Sequence, residues 1–393
     1  MWIAESPLNP QSAVRNLQLS MPAITLAICG NQISISARSP RLVRLFADYF
    51  SYYSPSLVTE NDQSPIPTER EVMLQIELKM RDKLPPRQQL IPSSAELVSQ
   101  TGVVGLWRES AIERQGDGET GQSAIRNPQS AIERMGERFF FDLEVAAFRV
   151  DVEAGKVIGL ITPQAMEYPH ILANTYALFA LLLMLRSRRL YHLHAAAIVS
   201  PTDELWLVCG AQRAGKTALA TALGLAGWRP VSDDSLLVGT DEQSAFLTPL
   251  KKHFHIGDEL FGRWPTLDGM TKHHQYLGRT CAGGLEFFKT RELAETRFRK
   301  VDHIVLPQII NEPVSRLESL SRSGALLRLA EQSMFFQLWR EHTSNQWQWL
   351  NELAAKSQCH RLFSASDVML DPNCAAKALG GFTVSSEQRS RGY

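Results

Sequence analysis

A short segment in the middle of the chain constrains the fold more than any other feature. It consists of Gly210, Ala211, Gln212, Arg213, Ala214, Gly215, Lys216 and Thr217. This order matches G-x-x-x-x-G-K-[ST], a loop whose glycines let successive backbone N–H groups turn toward phosphate oxygens. By the roles of that motif, Lys216 would contact the β- and γ-phosphates of a nucleotide, and the Thr217 hydroxyl would hold Mg²⁺.

The sequence on both sides of this loop fits a strand–loop–helix unit. Residues 205–209, Leu-Trp-Leu-Val-Cys, form an apolar run typical of a buried strand. Residues 217–225 are rich in Ala and Leu and predict a helix that ends near Gly227. The positive end of the helix dipole would then face the bound anion. A chance match in a turn rich in Gly and Ala is the alternative, and the flanking strand and helix disfavour it.

Two adjacent carboxylates, Asp233 and Asp234, follow the next predicted strand at residues 229–232. Phosphoryl transfer to a hydroxyl needs one carboxylate to hold the metal and a base near the acceptor, and the two aspartates could divide these roles. Like-charge repulsion in such a pair raises one pKa, which suits a group that accepts a proton near neutral pH. A solvated turn or a helix cap is the alternative interpretation of an isolated Asp-Asp pair.

His194 lies near the start of another apolar run, residues 193–199, which predicts a further strand. Together with His194, the loop and the aspartate pair resemble the core of the HPr kinase/phosphorylase family and its diverged relatives. The spacings from His194 to Lys216 and from Lys216 to Asp233 fit the pattern of that family. The resemblance is strong over about residues 193–238. It implies that Asp233 is the acid/base and Asp234 a metal or structural partner, with the reverse assignment open. It also implies that His194 is a supporting polar group.

The sequence departs from the pattern of the kinase/phosphorylase members at two places. The loop carries Gln212 and Arg213 where kinase/phosphorylase members have smaller residues, and Arg213 is bulky. A glycine-rich signature expected after the aspartate pair has no clear copy, and residues 281–286 are at best a remnant of it. The chain therefore looks more similar to the diverged relatives found beside peptide-modification systems, some of which phosphorylate a Ser of a ribosomal peptide.

The resemblance implies an ATP- and Mg²⁺-dependent serine kinase that transfers the γ-phosphate to a hydroxyl of a small protein or peptide. Its expected catalytic residues are Asp233, Asp234, His194 and Lys216. Two alternatives stay open, a nucleotide-binding scaffold or switch and a small-molecule kinase, and the aspartates favour catalysis over the scaffold. Nothing in the sequence separates a peptide from a metabolite as acceptor, or ATP from GTP, because such a loop contacts phosphates and not the purine ring.

Further candidate residues lie after the aspartate pair. Lys251 and Lys252 could stabilise charge on the transferred phosphoryl group, and a solvated basic turn is an equal alternative. Residues 271–290, with several glycines, predict a mobile loop that closes over the acceptor, and Arg279 is a candidate charge clamp within it. The histidines of this region are expected at the surface, since they lack Cys or acidic ligands at suitable spacing. These are His253, His255, His273 and His274.

Composition indicates an ordinary globular protein. The length of 393 residues allows two domains, and the formal net charge of zero argues against nucleic-acid or anionic-membrane partners. The most apolar stretch, residues 171–185, is too short to span a membrane. The five cysteines are scattered, which indicates a reducing compartment and no zinc site. The N-terminal residues lack the pattern of a signal peptide, so a cytoplasmic protein is expected.

The sequence predicts an α/β fold class, a P-loop kinase core of the HPr kinase type with an N-terminal β-rich α+β module. The module is expected over residues 1–165, the P-loop domain over 166–384, beginning with an apolar helix at 168–190, and a frayed tail over 385–393. Residues 323–356 are helical in pattern, and their aromatic stripe is expected in the core or at a contact of a homo-oligomer.

A polar repeat interrupts the N-terminal module. The motif Ser-Ala-Ile followed by a charged residue recurs within residues 110–137 and is too short for a solenoid unit. The segment therefore predicts a disordered insertion in a surface loop, with a partner-docking motif as the less favoured alternative.

We expect a variant that lacks residues 110–137 to keep the melting temperature and the ATP hydrolysis rate of the full chain, because a polar segment without periodicity buries little apolar surface. Scanning calorimetry and a hydrolysis assay on both proteins measure this. A large drop in either value would show that the segment packs or functions.

Overall fold

The protein combines helices with several sheets in a mixed α/β architecture. A computed structural model of the protein describes residues 23–29, 31–50, 57–59, 74–101, 104–109, 138–143, 145–240, 244–250, 253–276, 278–293, 296–333 and 340–380. Within these ranges the strands form four sheets. The polar insertion, the C-terminal tail, Lys251 and Lys252 lie outside the described residues.

The N-terminal part of the described chain builds one large sheet. Its strands are β1 (Ala23–Ile28), β2 (Asn31–Ala37), β3 (Leu57–Thr59), β4 (Leu74–Met80), β5 (Glu96–Thr101), β6 (Val104–Glu109), β7 (Arg138–Leu143), β8 (Ala146–Asp151) and β9 (Lys156–Ile161). They are ordered β3-β1-β2-β4-β9-β8-β7-β6-β5. β1 and β2 pair antiparallel, with Ile28 opposite Asn31.

One face of this sheet is covered by helix α1 (Pro40–Phe50), and a short helix α2 (Arg87–Leu90) follows β4. Alternate residues of β2, among them Ile33 and Ile35, are buried, as expected for a strand with one face in the core. Leu42 and Phe46 of α1 pack into the same core. Burying a side chain of this size contributes about 1.5–3 kcal/mol.

An apolar helical segment connects this sheet to the rest of the chain. It comprises α3 (Pro169–Ile171), a π-helical stretch (Leu172–Ala177) and α4 (Leu178–Ser187). Most residues of α4 are buried, and its leucines lie in the same core as β1, β2 and α1. The helix predicted at 168–190 is present over residues 169–187. The core cluster that contains it includes residues on both sides of residue 165. The domain boundary at that residue stays a prediction.

The remaining strands form three smaller sheets. They are β10 (Tyr191–Leu193), β11 (Ala195–Val199), β12 (Leu205–Cys209), β13 (Arg229–Ser232), β14 (Leu236–Thr240), β15 (Ala245–Pro249), β16 (Phe254–Gly257), β17 (Lys272–Tyr276), β18 (Arg279–Ala282), β19 (His303–Ile309), β20 (Arg316–Ser319) and β21 (Gln358–Ser364). Their orders are β13-β11-β12-β19-β21-β20, β10-β14-β15 and β16-β18-β17. The strands predicted at residues 205–209 and 229–232 are among them.

Helices complete the second half of the described chain. They are α5 (Lys216–Leu225), α6 (Asp258–Arg263), α7 (Gly284–Phe287), α8 (Arg322–Glu331), α9 (Arg340–Lys356), α10 (Ser366–Leu370) and α11 (Pro372–Ala378), with short 3₁₀ turns at Pro265–Gly269 and Arg291–Leu293. A further 3₁₀ turn, Pro163–Glu167, precedes α3. The helical segment predicted at 323–356 therefore comprises α8 and α9. No helix in the described part of the chain is long and apolar enough to cross a membrane.

The end of β12 is where the candidate loop begins. β12 pairs parallel with β19, and β19 pairs parallel with β21, so their carboxyl ends meet at one edge of the sheet. The loop leaves β12 at this edge and enters α5, whose Leu219 and Leu223 pack with Trp206 and Val305 of the sheet. The sheet and the helix thus hold the loop from both sides.

Two expectations from the sequence are wrong. Residues 271–290 are not an irregular mobile loop, because they form β17, β18 and α7, and Cys281 and Leu285 are buried. The glycines misled the prediction, since Gly278, with φ of 72°, makes the turn between two paired strands. The strand expected at 193–199 is broken at His194, because β10 pairs with β14 whereas β11 pairs with β12 and β13.

We expect Gly224→Ala to lower the melting temperature. A Cβ at Gly224 of α5 would lie 2.6 Å from Phe288 and 2.7 Å from Pro230, and such overpacking costs about 1–3 kcal/mol. That cost exceeds the gain of up to about 1 kcal/mol from replacing a helical glycine by alanine. Gly262→Ala in α6 is the matched control, since no atom lies within 4 Å of its Cβ position. Calorimetry that found equal effects for the two variants would contradict tight packing of α5 against β13.

Candidate functional site

The glycine-rich loop, residues 210–217, turns sharply between β12 and α5. Gly215 caps the helix with φ of 91°, and Arg213 also has a positive φ of 67°. A Cβ on Gly210 would lie 3.1 Å from the Cβ of Ala214, which leaves little room for a larger residue. Ala211, Gln212 and Arg213 are exposed at the tip of the loop. The bulky side chain of Arg213 is accommodated because it is exposed. Its positive φ, however, is an uncommon backbone conformation for a residue other than glycine.

Lys216 begins α5 and lies folded across the loop. Its side chain is buried, and Nζ donates hydrogen bonds to the backbone oxygens of Gly210 at 2.8 Å and Ala211 at 3.1 Å. Burial lowers the pKa of Lys216 below its ordinary value, and the negative charge of Asp234 is the main influence that opposes this. The ammonium group therefore lies close enough to the aspartate pair to interact with it electrostatically.

The aspartate pair follows β13 and has two different environments. Asp233 is fully buried, and its Oδ2 accepts a hydrogen bond of 2.8 Å from the backbone N–H of His255. Asp234, the next residue, is half-buried. The turn is held by Ser232, whose hydroxyl donates to the backbone oxygen of Ser235 at 3.0 Å. Of the two carboxylates, that of Asp234 is the more accessible to a bound molecule.

His194 supports the aspartate pair through the backbone. Its Nδ1 lies 2.9 Å from the backbone oxygen of Asp234, and because a carbonyl only accepts, Nδ1 donates the proton. The backbone N–H of His194 donates to the oxygen of Gln332 at 2.9 Å, which fixes the break between β10 and β11. The neutral ring in this tautomer carries its lone pair on Nε2. The structure thus places His194 beside Asp234, and its supporting role stays a prediction.

His255 joins the aspartates, and the expectation that it lies at the surface is wrong. It sits in β16 with 4% of its surface exposed. Asp233, Asp234 and His255 each place one possible ligand atom within 4.8 Å of the others. The available signal was a polar residue between two apolar residues of a short run, Phe254 and Ile256, which indicates a buried histidine that needs a polar environment.

His253 and His273 are not part of that cluster. His253 is half-buried and contacts the exposed His273, with ring centroids 4.3 Å apart. Arg279 is half-buried at the start of β18, and its positive charge lowers the pKa of Lys216, so it lies on the same side of the site. Lys251 and Lys252 lie outside the described residues, and their predicted role stays a prediction.

An apolar side chain missed by the sequence analysis borders the loop. Ile309, at the end of β19, lies 3.8 Å from the position of a Cβ on Gly215 and is 64% exposed. Its position follows from the parallel pairing of β12 with β19, which sequence pattern alone does not reveal. Ile309 thus forms an exposed apolar wall beside the start of α5.

The site has the residues for anion and metal binding. The glycine-rich loop leads directly into the N-terminus of α5, and backbone N–H groups at helix N-termini in general favour anions. Thr217 is half-buried in the first turn of α5. Asp234 is also half-buried, and its negative charge interacts with the positive charge of Lys216. Hydroxyl and carboxylate oxygens are ligands that Mg²⁺ accepts, so Thr217 and Asp234 fit the metal that the sequence predicts.

No family model matches the chain. No curated protein matches it either. The solved structures that match include the Hpr(Ser) kinase/phosphatase from Coxiella burnetii, with a TM-score of 0.21 and 14% sequence identity. The alignment covers 33% of this chain and 77% of that chain. Because this TM-score marks only a weak likeness, the site residues alone support the function proposed below.

Proposed function

We propose that the protein is an ATP- and Mg²⁺-dependent kinase of the HPr kinase type that phosphorylates a hydroxyl, with Ser of a small protein or peptide as the acceptor. The observation that carries this proposal is the position of the loop lysine. Lys216 begins the helix after a glycine-rich loop, and its charge interacts with Asp234 and Asp233. A phosphate on the loop would therefore lie next to a carboxylate pair, as phosphoryl transfer requires.

The proposed reaction is an in-line displacement at the γ-phosphorus. The acceptor oxygen forms a bond to phosphorus, the bond from phosphorus to the bridging oxygen breaks, and ADP leaves with that electron pair. The acceptor proton passes to a carboxylate of the pair. The backbone N–H groups of residues 210–217 orient the phosphates. Nζ of Lys216 gives up its hydrogen bonds to the backbone oxygens of Gly210 and Ala211 and donates to phosphate oxygens instead, where it stabilises the negative charge of the phosphates.

Thr217 and Asp234 are the proposed magnesium-binding residues. When bound, Mg²⁺ neutralises charge on the phosphate oxygens. Arg279, on the same side of the site, is the proposed clamp on developing charge. His194 holds the backbone of Asp234 in place through its Nδ1 and thereby positions the metal carboxylate.

We assign Asp233 as the base that accepts the acceptor proton. Its buried carboxylate is oriented by the hydrogen bond from His255, and a fixed orientation favours proton transfer in a defined direction. The reverse assignment has a specific observation in its favour, because Asp234 is the more exposed of the two. The two assignments can be separated by experiment, because replacing the base slows phosphate transfer whereas replacing the metal ligand weakens Mg-ATP binding.

A nucleotide-binding scaffold or switch is the competing function, and it would need the loop but not the aspartates. A small-molecule kinase would share the whole mechanism and differ only in the acceptor. We further propose a cytoplasmic enzyme whose partners are its protein or peptide substrate, with no role for nucleic acid or membranes. ATP is the proposed donor, and GTP would contact the same loop.

We expect Lys216→Ala to weaken Mg-ATP binding by roughly 10- to 100-fold, because hydrogen bonds to charged groups contribute about 1.5–3 kcal/mol, and to abolish turnover. Titration calorimetry on the wild type and the variant measures the affinity. Lys83→Ala, which removes an exposed lysine of the N-terminal part, is the control and should bind as the wild type does. Unchanged affinity in Lys216→Ala would refute a nucleotide site at this loop.

We expect Asp233→Asn to bind Mg-ATP normally and to transfer phosphate about 10²–10⁴-fold more slowly, since Asn is nearly isosteric but cannot act as a base. Asp234→Asn should instead weaken Mg-ATP binding. The measurement is transfer of labelled γ-phosphate into candidate peptides and small hydroxyl compounds, together with nucleotide affinity. The opposite pattern would exchange the two roles. Tight ATP binding by the wild type without transfer to any acceptor would favour the scaffold.

A further inference from the structure

We propose that Asp233, Asp234 and His255 form a site for a divalent transition-metal ion, and that the nitrogen of His255 makes this site prefer such ions over Mg²⁺. The proposal concerns the protein without nucleotide, in which Asp233 has no acceptor proton to receive, and it adds His255 as a ligand beside the proposed active site. For a role in phosphoryl transfer it rests on the proposed function, whereas the binding of the ion stands or falls by itself.

The geometry of the cluster is close to that of a bound ion. One possible ligand atom from each residue lies within 4.8 Å of the other two. Ligand atoms of Zn²⁺ lie about 2.0–2.2 Å from the ion, so two of them are at most roughly 4.4 Å apart. The spacing within the cluster is therefore at most slightly wider than one ion requires.

The backbone holds two members of the cluster in register. The N–H of His255 donates to Oδ2 of Asp233, so β16 cannot slide relative to the end of β13 without breaking a buried hydrogen bond. His194 fixes the backbone of Asp234 in the same way. Positioned ligands of this kind lose little conformational freedom when an ion binds.

The donor set decides which ion is favoured. Mg²⁺ prefers oxygen ligands, near-ideal octahedral geometry and retained water, whereas imidazole nitrogen suits Zn²⁺ and other transition ions. His255 is 4% exposed and lies in a strand, so its ring cannot turn out to solvent to make room for water. Two carboxylates with one imidazole match the mixed oxygen and nitrogen environment that Mn²⁺, Co²⁺ and Zn²⁺ accept.

The surrounding charges make binding depend on nucleotide. The charge of Lys216 interacts with those of Asp234, Asp233 and Arg279, so Lys216 offsets part of the carboxylate charge before any ion arrives. Phosphates on the loop would compensate the charge of Lys216. We therefore expect nucleotide to change the affinity for the ion, and we expect the three protein ligands to suffice for measurable binding without it.

The experiment uses the full chain without nucleotide and Mn²⁺ as the probe. Titration followed by the electron paramagnetic resonance of free Mn²⁺ gives the affinity, and electron spin echo modulation of the bound ion reports a directly coordinated ¹⁴N nucleus. The wild type should show Mn²⁺ binding with nitrogen coupling and much weaker Mg²⁺ binding in competition. His255→Gln should lose the nitrogen coupling and at least about tenfold in Mn²⁺ affinity while Mg²⁺ affinity changes little.

His273→Gln is the matched control, because His273 is an exposed histidine of the same region outside the cluster, and it should behave as the wild type does. Bound Mn²⁺ without ¹⁴N coupling in the wild type would overturn the proposal even if His255→Gln failed to fold, and so would equal affinity for Mg²⁺ and Mn²⁺. Nitrogen-coupled Mn²⁺ in a protein that transfers no phosphate would support the metal site and refute the kinase. Phosphate transfer without nitrogen coupling would support the kinase and refute the metal site.

Discussion

Burial of the Asp233 carboxylate is the constraint on which the rest of the site depends. A buried carboxylate is costly unless hydrogen bonds compensate it, and the backbone N–H of His255 supplies one of them. This bond joins the end of β13, in the largest sheet of the second half, to β16 in a separate sheet. The neighbouring Asp234 is tied through His194 to the junction of β10 and β11. Three sheets thus meet at two consecutive residues, and each loses a contact if the pair moves.

Local features of the site could be predicted from the sequence, because they depend on neighbours along the chain. The apolar run before Gly210 and the Ala-rich run after Lys216 form the expected strand and helix. What the sequence could not reveal depends on pairing between distant strands. His255 enters the site only because β16 lies beside Asp233, and Ile309 borders the loop only because β19 pairs with β12.

The errors have the same physical origin. Residues 193–199 read as one strand because the run is apolar apart from His194, yet Leu193 pairs with β14 whereas residues 195–199 pair with β12 and β13. Glycines between 278 and 284 read as a loop, although a positive φ at Gly278 serves a tight turn between paired strands. Propensity describes what a segment tolerates, and tertiary pairing selects among the tolerated conformations. The segment expected to move is therefore part of the framework that holds Arg279.

The proposed function requires that Lys216 and the aspartate pair enclose the γ-phosphate of a nucleotide. A crystal structure with a non-hydrolysable ATP analogue and Mn²⁺, located by its anomalous signal, tests this most directly. The account predicts that Nζ of Lys216 leaves the oxygens of Gly210 and Ala211 and donates to phosphate oxygens, with the ion within coordination distance of Asp234. An analogue bound elsewhere, or a Lys216 that keeps both backbone hydrogen bonds beside the bound phosphates, would contradict it.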